Sequence, residues 1–296
     1  MDEVTDIAYR ELCEKKGSSY TITELTSVEA LSRGHTYKDR YSRGNLSHNC
    51  VQLFGKNPES FTKAAEIIQD EAESIDINFG CPSPSVTNNQ ESGASLLKDP
   101  KNVEKIVEKL VKHTDKPITA KIRLGYKKTT YKEVATKIEN AGADLLAIHG
   151  RTAEQKYSGT ANWDAIEDVY NSLERIKVVG NGDIKETKDI DDKLNIKCSA
   201  LMIGRAAIGN PDIFKQFNQH YKNKNIDNTK DIKSKQKELF KEYINLLENY
   251  DIHKKNTRIS RQAMWFFKGI SGVKELRKNI MEAKSVEEVL NIVEEF

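Results

Sequence analysis

A cysteine follows directly on a predicted β-strand in the stretch "SIDINFGCPSPSV" (residues 74–86). The alternating run ends at Asn78, and Cys81 stands between Gly80 and Pro82. A buried structural cysteine would more naturally occupy an apolar position within the strand. One in the loop just past the strand can meet a substrate, so the spacing favours a functional cysteine.

Short β-rich runs alternate with longer amphipathic segments from residue 20 to residue 205. We predict strands at 19–25, 50–55, 74–79, 117–124, 144–150, 176–181 and 200–205, with helices at 5–16, 59–71, 100–113, 131–141, 163–174 and 186–195. This alternation predicts a parallel sheet built from crossover units. Seven such strands and one more make an α/β fold of the (β/α)8 TIM-barrel type, whose chemistry lies at the carboxyl ends of the strands.

The two ends of the sequence indicate where the predicted domains lie. Helix 5–16 begins almost at Met1, so we expect the missing first strand in residues upstream of Met1. Residues 222–232 are polar and rich in Asn and Lys, as in a linker. Residues 233–296 read as three or four helices, the last beginning with a capping box of Ser285 and Glu288. We therefore predict a catalytic barrel over 1–221, a linker over 222–232 and a small all-α domain over 233–296.

The composition excludes several classes of protein. Hydrophobic residues make up 37% and charged residues 31%, and no apolar run approaches the roughly 18 residues of a membrane span. The start "MDEVTDIAYR" resembles neither a secretion signal nor a transit peptide. Four cysteines without CxxC spacing argue against zinc and against a disulfide framework. We expect a cytoplasmic protein with no metal and no membrane partner.

Polar side chains recur at the predicted strand ends, which converge on one face of a barrel. They are Gln52, Asn78, Cys81, Lys121, His149, Arg151, Asn181, Asp183 and Arg205. A lone histidine is more often a satisfied structural group than a ligand. Lys121 is stronger evidence for a functional site. It alternates inward among β-branched residues, and its buried charge is costly unless it meets an anion.

Two glycine-containing loops follow the last two predicted strands, "VVGNGDI" (178–184) and "LMIGRAAIGNP" (201–211). Glycines let backbone N–H groups approach a phosphate, and Arg205 can bind one with two parallel hydrogen bonds. Barrel enzymes commonly bind phosphate at this pair of loops. The two loops predict a phosphorylated cofactor such as FMN.

A basic segment stands near the carboxyl end although the net charge of the chain is only +2. Residues 254–278 hold eight Lys or Arg against one acid, together with Trp265, Phe266 and Phe267. One interpretation is a helix with a solvated basic face and an aromatic core stripe. The other is a surface that contacts the phosphate backbone of a nucleic acid.

Seven motifs together resemble those of the tRNA-dihydrouridine synthases over roughly residues 1–215. They are "VTDIAYR", "VQLFG", "DINFGCP", "AKIRLG", "IHGRT", "GNGDI" and "MIGRAAIGNP". The resemblance implies an FMN-dependent reductase that uses NADPH to reduce a D-loop uridine of tRNA. The hydride would go to C6 of the uracil and a proton to C5.

The resemblance also implies roles for residues, and the basic segment then becomes the expected tRNA contact. Cys81 would be the proton donor, and Asn78 and Arg151 would lie close to the target base. The FMN ligands would be Gln52, Lys121, Asn181, Gly182, Asp183, Gly204 and Arg205, with His149 at the flavin. We assign tRNA contacts to Lys254, Lys255, Arg258 and Arg261, and expect a monomer.

The chain departs from the family pattern at two places. The usual short strand ending in Pro-Met before "VTD" is missing, with Met1 in place of that methionine. Ser260, Arg261 and Gln262 replace the usual Arg-Lys-His ahead of the C-terminal tryptophan, so we expect the RNA contacts of this helix to differ in detail.

Two other functions are open on the sequence alone. One is an FMN barrel that acts on a free small molecule, such as a dihydropyrimidine dehydrogenase-like or ene-reductase-like enzyme. The appended basic region argues against it, because a small substrate needs no such surface. The other is an RNA-binding module without chemistry, against which Cys81, Lys121, His149 and Arg205 speak.

Overall fold

A seven-stranded parallel sheet forms the centre of the protein. The computed structural model describes residues 1–35, 38–222, 231–252 and 255–296. The strands are β1 Thr26–Ser27, β2 Cys50–Phe54, β3 Ser74–Phe79, β4 Ile118–Arg123, β5 Leu145–His149, β6 Lys177–Asn181 and β7 Ala200–Met202. Each strand pairs in parallel with the next along the chain. All carboxyl ends therefore meet at one edge, as in a β/α barrel.

The helices cover the sheet and then continue beyond it. They are α1 Ile7–Lys15, α2 Val28–Ser32, α3 Pro58–Ile68, α4 Pro84–Thr87, α5 Pro100–His113, α6 Tyr131–Asn140, α7 Trp163–Ser172, α8 Lys188–Leu194, α9 Ile213–Tyr221, α10 Ile232–Leu247, α11 Lys255–Phe266, α12 Val273–Glu282 and α13 Val286–Glu295. The predicted α/β class and the additional C-terminal helical region are confirmed. None of these described helices combines the length and apolar character of a membrane span.

The first predicted strand differs from the observed one. Residues 19–25 were expected to pair, yet only Ile22 bridges to Cys50, and the regular pairing begins later, at β1. The reason lies at Thr23, whose side-chain hydroxyl accepts the Gln52 N–H at 2.8 Å in place of a backbone carbonyl. The segment thus follows β2 without a regular ladder. Among the described residues β1 and β7 are the two edges of the sheet, and the expected strand upstream of Met1 stays a prediction.

The described residues form two hydrophobic cores. The larger lies between the sheet and the helices α2 to α9. The second joins α10 to α13 with α1, whose Tyr9 ring packs edge-on against Phe266 at 6.0 Å between centroids. By packing, α1 thus belongs with the C-terminal helices, although the predicted domain boundary grouped it with the barrel. The predicted linker lies mostly outside the described residues.

Close backbone contact holds the C-terminal helices to the sheet. Gly209, between β7 and α9, has a φ of +68°, and a Cβ there would lie 2.2 Å from the carbonyl oxygen of Trp265 on α11. Only glycine fits such an approach. At the far end, the Ser285 hydroxyl accepts the Glu288 N–H at 3.1 Å, as the predicted cap of α13 requires. The Glu288 carboxylate accepts from Lys284 rather than from Ser285.

Candidate active site

The inward faces of neighbouring strands bring the predicted site residues together. Side chains alternate across a strand, so Asp76 and Asn78 share one face of β3, and Thr119, Lys121 and Arg123 share one face of β4. The register places Asn78 beside Lys121 and Arg123 beside His149. His149 in turn lies beside Asn181, and Gln52 beside Asp76. The carboxyl edge of the sheet therefore carries a continuous polar surface.

The loop that carries Cys81 is fixed by an amide. The Asn78 Oδ1 atom accepts the Gly80 N–H at 3.0 Å and the Cys81 N–H at 2.8 Å. The thiol is half-buried, and burial raises its pKa above the ordinary value. A thiol with a raised pKa keeps its proton at neutral pH, which is the state a proton donor needs.

A chain of hydrogen bonds leads from this loop into the interior of the sheet. Asn78 Nδ2 donates to Gln52 Oε1 at 2.9 Å, and Gln52 Nε2 donates to Asp76 Oδ2 at 2.6 Å. The other Asp76 oxygen accepts from the Thr119 hydroxyl at 2.5 Å. Asp76 is 1% exposed, and burial raises its pKa. Asp76 and Thr119 are not among the predicted site residues, although they alternate with Asn78 and Lys121 along their strands.

Arg123 is a second residue that sequence reasoning missed. Its Nε donates to the carbonyl oxygen of Gly80 at 2.9 Å, and its Nη1 donates to the carbonyls of Thr152 and Lys156, both at 2.9 Å. The guanidinium is buried and thus ties the Cys81 loop to the loop after β5. Its position two residues after Lys121 was the signal that could have identified it.

His149 is a neutral imidazole surrounded by cations. Burial, as the largest cause, and the charges of Lys121, Arg123, Arg151 and Arg205 together lower its pKa to about 2. Its Nε2 lies 3.4 Å from Arg151 Nη1. Because a guanidinium only donates, Nε2 accepts, and the ring carries its proton on Nδ1. His149 thus offers one N–H donor to a ligand.

Lys121 is an amine without a partner. Burial lowers its pKa to about 7, with Arg123 acting in the same direction and Asp76 against it. Within the described ranges its ammonium makes neither a hydrogen bond nor an ion pair. The inward lysine predicted from the strand pattern is therefore present, and in the described part of the chain no carboxylate forms a direct ion pair with it.

The loops after β6 and β7 bring the remaining predicted cofactor ligands together. Asn181 Nδ2 donates to the Met202 carbonyl at 2.8 Å, which joins the two strand ends. A Cβ at Gly182 would lie 2.7 Å from Ala161, whereas a Cβ at Gly204 would meet no atom within 4 Å. Arg205 is half-exposed, and its guanidinium lies 3.6 Å from Asp183. The open space at Gly204 beside the half-exposed Arg205 suits an anionic group.

Arg151 is placed differently from the expectation. It is 2% exposed and donates to the Ser158 and Gly159 carbonyls, as well as to Asp183 at 2.7 Å. Burial raises the Asp183 pKa, but the hydrogen bonds from Arg151 and the Ala161 N–H outweigh it and lower the pKa overall. Direct contact of Arg151 with a target base would require these bonds to be exchanged, so its expected place there stays a prediction.

These features fit a bound anionic cofactor. Lys121, His149, the half-exposed Arg205 and the space at Gly204 all belong to the strands and loops of the carboxyl edge of the sheet. Asp183 uses its carboxylate within the protein, so it would meet a phosphate only through its backbone N–H. In the described part of the chain, no group of three or more His, Cys, Asp or Glu side chains is arranged to hold a metal ion.

The basic segment is less free than its composition suggested. Arg258 is buried and donates to both carboxylate oxygens of Glu24, at 3.0 and 2.9 Å. Arg261 pairs with Glu3, and Lys254 lies outside the described residues. Phe266 and Phe267 are buried in the second core, which confirms the core interpretation for these two rings. Arg258 therefore holds the helices to the barrel, and the assigned phosphate contact would break that pair.

Other cations of the segment remain free of such pairs. Within the described ranges, no ion pair is made by Lys255, Lys268, Lys274, Arg277 or Lys278, and three of them are exposed. The cations of the segment that make no ion pair thus lie at the ends of α11 and on α12.

Fold and site together define a parallel β/α enzyme with its chemistry at the strand ends, and comparison with known proteins specifies the family. A family model described as "Dihydrouridine synthase (Dus)" matches residues 1–296. A probable tRNA-dihydrouridine synthase of Aquifex aeolicus is 34% identical, over 100% of this chain and 93% of that protein. The tRNA-dihydrouridine synthase B of Pasteurella multocida is 34% identical, over 91% of this chain and 82% of that protein.

The chain therefore belongs to the dihydrouridine synthase family, which consists of flavin-dependent oxidoreductases. Among solved structures, DHODH from Eimeria tenella in complex with ferulenol aligns with a TM-score of 0.46 and 16% identity, over 66% of this chain and 62% of that one.

Proposed function

We propose that the protein reduces the C5–C6 double bond of a uridine in the D-loop of tRNA, with NADPH as electron source and FMN as cofactor. Membership of the dihydrouridine synthase family supports this proposal. The observation that carries it is the position of Cys81 at a strand end, where Asn78 and Arg123 hold its loop and burial raises the pKa of the thiol. Reduction of a carbon–carbon double bond needs a proton at one carbon and a hydride at the other.

The residues that would hold FMN divide into two groups. Arg205 and the backbone around Gly204 and Gly182 suit its phosphate, and Lys121, His149 and Gln52 suit its ring system. When bound and reduced, FMN supplies a hydride. Lys121 and the His149 Nδ1–H would orient the ring by charge and by hydrogen bonding.

Cys81 would transfer the proton. Its S–H donates to C5 of the uracil while C6 receives the hydride, and the thiolate then regains a proton from solvent. Uridine, NADPH and one proton thus become dihydrouridine and NADP⁺, so atoms and electrons balance. A uracil stacked inside tRNA cannot reach this loop, so the base must be turned out of the stack.

Nucleoside analysis of tRNA tests this function. We expect tRNA from a strain that lacks the gene to lose a dihydrouridine, and the wild-type gene to restore it. The purified protein with FMN and NADPH should form dihydrouridine in that tRNA but should not reduce free uridine or uracil. An unchanged dihydrouridine content, or faster reduction of the free base than of tRNA, would contradict the proposal.

A further inference from the structure

Asp76 lies at the inner end of the hydrogen-bond chain that reaches the Cys81 loop. It is 1% exposed and belongs to none of the predicted ligand groups. Its two oxygens serve different branches: Oδ1 accepts from Thr119, and Oδ2 accepts from Gln52. Only the second branch continues to Asn78 and Cys81.

Asp76 sets the direction of donors and acceptors along this branch of the hydrogen-bond chain. The nitrogen and oxygen of a side-chain amide differ little in size, so packing alone does not choose between its two orientations. Asp76 Oδ2 is the acceptor in this branch, which places the Gln52 Nε2 towards Asp76 and the Gln52 Oε1 towards Asn78. Asn78 must then present Nδ2 to Gln52, and its Oδ1 turns to the N–H groups of Gly80 and Cys81.

A reversed Asn78 amide would place an NH2 group against those two N–H groups. Donors would then face donors, and both backbone N–H groups would lose their acceptor, which displaces the loop. The Arg123 contact with the Gly80 carbonyl, at 2.9 Å, holds only the opposite side of the same peptide. The position of the Cys81 thiol therefore depends on the orientation of the Asn78 amide. Asp76 sets that orientation through Gln52.

We propose that Asp76 is a positioning residue for Cys81: it orients the Gln52 amide, Gln52 orients Asn78, and Asn78 holds the Gly80–Cys81 backbone. The proposal rests on the proposed function for its catalytic consequence. Its geometric consequence, the position of the Cys81 thiol, is independent of that function.

The main variant is Asp76→Ala, and Thr119→Val is its matched control. The valine removes the other hydrogen bond of the same carboxylate but leaves the branch to Cys81 intact. The first readout is the rate of alkylation of Cys81 by iodoacetamide across pH, mapped by peptide mass spectrometry. Cys198, which is also partly exposed, serves as the internal reference. The second readout is reoxidation by tRNA of the pre-reduced, flavin-loaded protein.

We expect Asp76→Ala to change the pH profile of Cys81 alkylation while that of Cys198 stays the same. Because small displacements of reacting groups are costly, tRNA-dependent reoxidation should fall about 10- to 100-fold. Reduction of the flavin by NADPH should fall less than tRNA-dependent reoxidation, since Cys81 takes no part in that step and only the Gln52 contact with the flavin is disturbed. Thr119→Val should resemble the wild type in every readout. Unchanged readouts in Asp76→Ala, or an equal loss in Thr119→Val, would overturn the proposal.

A second set of variants preserves volume in case Asp76→Ala does not fold. In Asp76→Asn, the amide oxygen can still accept from Gln52 while its NH2 donates to Thr119, so we expect near-wild-type alkylation. Adding Thr119→Val removes the group that fixes the orientation of this new amide. The double variant should therefore show the same altered pH profile of Cys81 alkylation as Asp76→Ala. Equal behaviour of the single and double variants would reject the role of Asp76. If Cys81→Ala keeps full activity, the proton-donor assignment fails, and the alkylation readout still tests Asp76 separately.

Discussion

The Lys121 amine carries a cost that a bound anion would offset. Burial lowers its pKa to about 7 from an ordinary 10.5, so the unfolded chain binds this proton more tightly than the folded one. The stability contributed by the residue is therefore smallest below pH 7 and rises as the pH increases towards 10. A methionine of similar length would remove this penalty together with the charge.

We thus expect Lys121→Met to stabilise the flavin-free protein and to weaken FMN binding. The free energy of unfolding at pH 7 should rise by about 1–3 kcal/mol, less than the full pKa shift would give, because the amine is partly open to solvent. In this variant the free energy of unfolding should rise less between pH 7 and pH 10 than in the wild type. Denaturant titrations of flavin-free protein and FMN titrations measure the two effects, with the exposed Lys105→Met as control. Unchanged FMN affinity would place the flavin elsewhere.

Alternation along the strands predicted which residues face inward, but their partners came only from the register. Lys121 was found from the β4 pattern, and the same pattern marks Arg123 and Thr119 once the strand is known. That Gln52 bonds to Asp76 depends on the pairing of β2 with β3. Tertiary packing sets that pairing, and no local pattern in either strand reveals it.

At the level of elements, two glycines of neighbouring loops do different things. Gly209 has a positive φ and lies against the backbone of α11, whereas Gly204 has an ordinary φ of −113° and free space around it. We expect Gly209→Ala to destabilise the protein by about 1–3 kcal/mol through its backbone conformation alone. The contact with Trp265 adds to this loss.

Gly204→Ala should lower the melting temperature of the flavin-free protein less than Gly209→Ala does, and it should lower the affinity for FMN. The reason is that a methyl group there enters only the space expected for the phosphate. Thermal unfolding and flavin titration of both variants separate the two roles. Equal destabilisation by the two alanines would show that the loops pack more alike than the structure indicates.

Arg258 connects α11 to the segment before β1, and its role follows from burial. Removing one partner of a buried ion pair leaves the other charge unpaired, at a cost of about 3–5 kcal/mol. We therefore expect Arg258→Ala to lower stability strongly, since Glu24 would lose both hydrogen bonds. Arg261→Ala breaks an exposed pair and should cost about 0–1 kcal/mol. A stable Arg258→Ala variant with weakened tRNA binding would restore its original assignment.

The ion pairs of the basic segment could not be predicted from the sequence. Counting cations found a region rich in charge and assigned Arg258 to RNA with the others. A count cannot reveal that a carboxylate more than 200 positions away in the chain, Glu24, lies buried against this arginine. Conversely, the helices within residues 233–296 could be predicted from the sequence, because amphipathic periodicity is a local property.

At the scale of the whole molecule, we expect tRNA to contact the free cations at the ends of α11 and on α12. Each lost phosphate contact lowers the slope of log affinity against log salt by about 0.7–0.9. The quadruple variant Lys255→Ala, Lys268→Ala, Lys274→Ala and Lys278→Ala should therefore bind tRNA more weakly and with a flatter salt dependence. NADPH oxidation without tRNA should not change.

A control variant carries four alanines at exposed lysines of α3 and α5, namely Lys63, Lys101, Lys105 and Lys112. It removes the same charge from a different face of the protein, so it separates a local contact from the effect of net charge. An equal loss of tRNA affinity in both variants would mean that binding depends on net charge rather than on this surface.

The central claim is that Cys81 delivers the proton during reduction of tRNA, and a single-turnover experiment tests it most directly. Flavin-loaded protein is reduced without oxygen and mixed with tRNA that lacks dihydrouridine, and flavin reoxidation and dihydrouridine are both followed. For Cys81→Ala we predict normal FMN content and normal reduction by NADPH, with a loss of about 100- to 10,000-fold in tRNA reduction. Cys198→Ala should behave as the wild type. Dihydrouridine formed by Cys81→Ala at the wild-type rate would contradict the claim.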